Sequence, residues 1–172
     1  YFEKLSIIPT YEERLAFLTG DTREERIYIL RMVGQWLKQD AAQVCASKML
    51  KLRYPLLQAY LGLMPDELGS VYNEYISEYK AHKLANTLPE SDERFFRGIG
   101  PDSLPFLYSV INQKITDSTV MLWIDGLGFE YLSLLLDKLA QSEDGTVVSC
   151  TLTQALLPTE TEFNEQWKQM SV

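Results

Sequence analysis

The residues best placed to do chemistry stand in two short stretches of this 172-residue chain. The first is Val120-Met121-Leu122-Trp123-Ile124-Asp125-Gly126, an apolar run that stops on a carboxylate and a glycine. A run of this kind bounded by turn chemistry has the pattern of a strand covered on both faces. In an open α/β sheet, ligands gather at the carboxyl ends of strands, which is where this reading puts Asp125. The structural alternative is that Asp125 caps the helix that follows. The second stretch is Leu156-Leu157-Pro158-Thr159-Glu160-Thr161-Glu162-Phe163-Asn164, in which a proline and alternating threonines and glutamates lead into a helix near Trp167. Thr159-x-x-Glu162 has the spacing of a capping box, and a cap is the structural alternative here.

The elements that must position these residues follow from the flanking pattern. Leu127 to Leu139 has the apolar density and length of a crossover helix. Thr146-Val147-Val148-Ser149-Cys150-Thr151-Leu152, behind the Glu143-Asp144-Gly145 turn, is rich in β-branched residues and predicts a second strand, parallel to the first. Residues 114–172 thus read as the beginning of an α/β domain and residues 1–113 as a helical domain.

Taken together, Trp123-Ile124-Asp125-Gly126-Leu127-Gly128-Phe129-Glu130-Tyr131-Leu132 and Leu157-Pro158-Thr159-Glu160-Thr161-Glu162-Phe163-Asn164 resemble the alkaline phosphatase superfamily. Within it they most resemble the PglZ domain of BREX-type phage defence, over residues 118 to 168. The resemblance implies that Asp125 is a metal ligand, that Thr161 is the nucleophile and a metal ligand, and that Asn164 contacts phosphate. Thr159 would support the loop. A threonine hydroxyl is a poor nucleophile near neutral pH without a metal or a base, and no histidine is near in sequence. A helix start also offers free N–H groups and a positive dipole end to a phosphate. The implied function is that of a metal-dependent phosphatase or phosphodiesterase, with zinc or manganese as cofactor and other defence proteins as partners.

The superfamily places further aspartate and histidine ligands downstream of the nucleophile, and such a set is missing before Val172. The chain therefore reads as a piece of a longer enzyme, expected to bind metal weakly and to be inactive by itself. The alternative is a helical adaptor of a multiprotein defence complex carrying a degenerate phosphatase-like part.

Composition narrows the classes further. Residues 1–113 carry a net charge of −2 and residues 114–172 a net charge of −6. An acidic segment repels polyphosphates unless cations intervene, and no basic stripe argues for nucleic-acid binding. No apolar run is long enough for a membrane span and no stretch reads as a secretory leader, so neither is expected. Cys45 and Cys150 are too few for a disulfide framework, so a cytoplasmic setting is expected.

Along the first two-thirds, Thr10-x-x-Glu13 and Asp21-x-x-Glu24 predict helix starts. The first leads to Leu15, Phe17 and Leu18 and closes at Gly20. The second leads to Ile27, Leu30, Val33, Trp36 and Leu37. Asp40 opens a run through Val44, Cys45, Met49 and Leu52 that Pro55 ends or kinks near Tyr54. Pro65 to Leu84 predicts a helix with Leu68, Val71, Tyr72, Tyr75, Ile76 and Tyr79 on its packed face. His82, the single histidine, is expected as a partly exposed residue of that helix. Residues 85–101 read as a loop and 102–112 as a short helix. No repeat is present.

Overall fold

Side-chain caps decide where most helices of the N-terminal region begin. The computed structural model describes residues 1–63, 70–87, 105–111, 118–120, 122, 124, 127–143, 147 and 149–153. After α1 (Phe2–Ser6), Thr10 caps α2 (Tyr11–Ala16): its hydroxyl accepts from Glu13 N at 3.2 Å and donates to the Glu13 carboxylate at 2.8 Å. Gly20, at φ 76°, turns the chain after α2 in a conformation that favours glycine. The cap of α3 (Arg23–Gln39) is Thr22, one residue later than the Asp21 start expected; Thr22 accepts from Glu25 N at 3.1 Å. Glu25 is held by Thr19 and by Gly20 N, a tertiary reason for that one-residue choice.

Asp40 caps α4 (Ala41–Ala46) through Gln43 N, as its position predicts. The run to Leu52 is not one helix, however. Ser47 breaks it and caps α5 (Lys48–Arg53), while Glu12 of α2 accepts from Lys48 N at 3.1 Å. Tyr54 ends α5, and Pro55 opens α6 (Pro55–Leu61) rather than only closing what precedes it. The next described helix, α7 (Ser70–Ala85), ends at Asn86 with φ 56°. There Thr87 N bonds His82 O and Asn86 N bonds Lys83 O, the two bonds of a Schellman motif.

Two compact units result. The first comprises Tyr1–Ser91 and Leu127–Ser149. Its core is carried by α3, whose Ile29, Met32, Val33, Trp36 and Leu37 recur at helical spacing and are all buried. They pack with Leu5, Leu15, Leu18, Val44, Leu50 and Leu61, and the Trp36 indole donates to Gln43 at 2.7 Å. Ile27 and Leu30, apolar residues of the same helix, are exposed. Among the described side chains of α7, Ile76, Lys80 and Ala81 are buried and Tyr75 and Tyr79 half-buried, so the packed face includes a lysine; Leu68, Val71 and Tyr72 of the expected stripe lie outside the described side chains.

The segment Leu127–Ser149 packs in the same unit. A 3₁₀ turn at Phe129–Tyr131 leads into α9 (Leu132–Ala140), which meets the expectation of a helix between residues 127 and 139. The second unit comprises Asp92–Gly126 and Cys150–Val172. Its described helix is α8 (Leu107–Ile111), within the span predicted as helical. Val120, Leu122 and Ile124 are 93 %, 81 % and 48 % exposed and belong to no strand, so the buried strand expected there is not seen at these residues. Nor is a strand present at Val147 or at residues 149–152. Cys45 and Cys150 are both half-buried.

α3 and α7 approach each other closely at Gly34. A Cβ added there would lie 2.8 Å from Ala81 O and 3.1 Å from both Ala85 N and the Leu84 side chain. Helix propensity by itself favours Gly34→Ala by up to about 1 kcal/mol. Overpacking opposes it and should win, lowering stability by about 1–3 kcal/mol in urea unfolding. A stabilised variant would show that the two helices separate without cost.

Candidate functional site

Asp125, Thr159, Thr161 and Asn164 all lie outside the described residues. What the structure does place is the second half of the first motif. Trp123–Gly126 falls in the second unit and Leu127–Leu132 in the first. Each conspicuous residue of that second half has a structural occupation. A Cβ on Gly128 would run into the Glu130 carboxylate. Glu130, buried, pairs with Lys83 of α7. The Tyr131 ring lies 5.3 Å from that of Tyr60, with the Lys83 ammonium 5.2 Å from its centre.

Ser133, directly after this motif, belongs to a buried polar cluster of the first unit. Lys80, 1 % exposed, donates to Ser133 Oγ at 3.0 Å and to Gly62 O at 3.3 Å. Its ammonium also lies 5.2 Å from the centre of the Tyr60 ring, within cation–π range. Ser133 donates in turn to Tyr60 O at 2.8 Å. Burial pushes the Lys80 ammonium down to about 8, opposed by the nearby Cys45 and Glu130. Burial likewise raises the Cys45 thiol and the Tyr60 phenol. Lys83 is held above the ordinary lysine range by its hydrogen bond to Glu130.

A lysine of lowered pKa beside a serine hydroxyl has the composition of a Ser–Lys nucleophile and base. The geometry here argues against that use. Both side chains are buried, Ser133 spends its proton on a backbone carbonyl, and neither lines a described cleft. The cluster is a clamp: it fastens α9 to α6 and α7. Sequence reasoning missed it. The only local signal was a lysine four residues from Ile76 and four from Leu84, inside an apolar stripe.

A cleft of about 510 Å³ brings Lys38, Glu74, Glu78 and His82 together. His82 Nδ1 lies 3.3 Å from Lys38 Nζ and Nε2 lies 3.9 Å from Glu78 Oε1. The histidine is partly exposed, as expected. Charges of both signs line the cleft, so it favours no one ligand charge. Among the described residues, no group of three or more His, Cys, Asp or Glu converges as a metal site. No described helix is long and apolar enough to cross a membrane. Compared with protein-family profiles, curated proteins and solved structures, the chain matches none.

The clamp sets a pH dependence. The folded pKa of Lys80 lies below its ordinary value of 10.5, so between about 8 and 10.5 the unfolded chain binds more protons and stability rises with pH. The benefit is complete above the unfolded pKa and lost as pH falls through the folded one. Relative to Lys80→Met, the unaltered protein should gain about 2 kcal/mol between pH 8 and pH 10. Urea unfolding of both proteins across that range measures it, and parallel stability curves would show that the buried ammonium does not titrate there.

Proposed function

We propose that this chain belongs to a metal-dependent phosphoric ester hydrolase of the PglZ type acting in bacterial phage defence. The observation that carries the reading is the pair of sequence motifs, Trp123–Leu132 and Leu157–Asn164. In it Thr161 is the attacking oxygen, Asp125 and Thr161 are metal ligands, and Asn164 donates its amide N–H to a phosphoryl oxygen. A bound zinc or manganese ion would supply the positive charge that makes a threonine alkoxide accessible near neutral pH. The net charge of −6 over residues 114–172 makes the same demand, since a phosphodiester would otherwise be repelled. A phosphoester or nucleic-acid-derived compound is the substrate class.

One observation favours the second reading, a helical adaptor with a degenerate phosphatase-like part. Gly128, Glu130 and Tyr131 are accounted for by packing within the first unit. The readings separate on activity. In the intact protein supplied with zinc or manganese, Thr161→Ala should abolish turnover of a chromogenic phosphodiester. Asp125→Ala should lower both metal occupancy and turnover. Asn164→Ala should be milder, since one donor to a developing charge is worth about 2.7–4 kcal/mol in rate. Thermal unfolding of each variant shows whether the fold survives. Full activity in a well-folded Thr161→Ala protein would exclude that nucleophile, and loss that only tracks unfolding would favour the capping role.

A further inference from the structure

A groove of about 420 Å³ runs along the first unit between the turn at Gly20, α3 and the start of α6. Its apolar surface comes from the buried Ile29, the half-buried Tyr54 and Leu57, and the exposed Leu30, Pro55 and Leu56. Leu56 is 61 % exposed, an unusual position for a leucine that borders a concave apolar surface.

Two exposed arginines, Arg26 and Arg53, border the same groove. Both point donors at backbone carbonyls rather than at carboxylates. Arg26 Nη1 donates to Gly20 O and to Asp21 O, each at 3.1 Å, and Arg53 Nη1 donates to Leu18 O at 2.8 Å. Neither guanidinium has a carboxylate partner among the described residues. The carboxylate of Glu25, at the Gly20 end, is occupied by Thr19 and Gly20 N. The backbone bonds hold each fork in place, and neither fork is closed by a carboxylate within ion-pair distance, so little side-chain freedom remains to be lost on binding. Tyrosine, arginine and an apolar pocket are also the composition of interface hot spots.

We propose that this groove docks an acidic–apolar peptide segment of a partner protein. A leucine or aromatic side chain of the segment fills the space beside Leu30 and Leu56, and flanking carboxylates reach Arg26 and Arg53. The two guanidinium forks that line the groove favour this occupant, since a basic segment would be repelled by them and a purely apolar one would leave both without a carboxylate. The inference is independent of any phosphatase activity, because no residue of the two motifs takes part.

The probe is a short fluorescein-labelled peptide, blocked at both ends, in which leucine and phenylalanine are flanked by glutamates. A sibling peptide carries lysines in place of the glutamates. With the full chain, fluorescence anisotropy should show saturable binding of the glutamate peptide only. Arg53→Glu and Leu56→Asp should each weaken it by about tenfold or more. Replacing both arginines by glutamate should reverse the preference in favour of the lysine peptide. Arg53 also bonds Leu18 O, so Leu56→Asp, at an exposed position, is the variant that keeps the test clear of folding defects. Absence of saturable binding, or equal binding of the two peptides, would overturn the proposal. So would a concentration-dependent dimer in sedimentation that Leu56→Asp dissociates, because a second copy would then be the occupant.

Discussion

An ammonium group held out of water is the constraint around which the first unit is arranged. Burying a lysine is unfavourable by several kcal/mol unless its hydrogens find partners. Lys80 finds them in elements far apart in the chain: Gly62 O at the end of α6, Ser133 at the start of α9, and the Tyr60 ring. The end of a helix is a favourable place for a cation, because its last carbonyls lack intrahelical donors and carry the negative end of the dipole. Removing α9 would strip Lys80 of the Ser133 hydroxyl, leaving the ammonium to one carbonyl and a ring. The docking of α9 and the burial of Lys80 therefore depend on each other, and Lys83 with Glu130 repeats the connection one turn further along α7.

This dependence has a consequence for the residues that resemble a phosphatase motif. Leu127–Leu132 is bound into the helical unit through Glu130 and Tyr131, while Trp123–Gly126 groups with the second unit. Asp125 lies outside the described residues. The functional reading thus rests on Asp125 and on the Thr161 segment, and the glycine, glutamate and tyrosine that follow add less to it than their place in the sequence pattern implies.

Local features were legible in the sequence and relayed ones were not. Thr10 and Asp40 could be read as caps because a cap joins a side chain to a backbone N–H three residues on. The choice between Asp21 and Thr22 could not, since each has a glutamate three residues later and the contacts of Glu25 with Thr19 and Gly20 decide it. The break at Ser47 was hidden inside an apolar run of helical spacing, and part of its cause is Glu12, on another helix. The clamp was hidden most deeply, because Lys80 has a reason to be buried only once Ser133, 53 residues on, is beside it. Of the candidate site, the sequence supplies residue types and order. Hydrophobic pattern predicted a buried strand before Asp125, and the three residues of that run that are described, Val120, Leu122 and Ile124, are exposed and in no strand.

Native-state hydrogen–deuterium exchange measures the interdependence of Lys80 and α9 most directly. If the clamp binds α9 into the cooperative unit, amides of residues 135–140 should exchange as slowly as those of residues 29–37 in α3, and both sets should respond together to low urea. Ser133→Ala should release the first set while leaving the second protected. Rapid exchange of α9 in the unaltered protein, with α3 still protected, would contradict the account, because Lys80 would then be buried without the partner its burial requires.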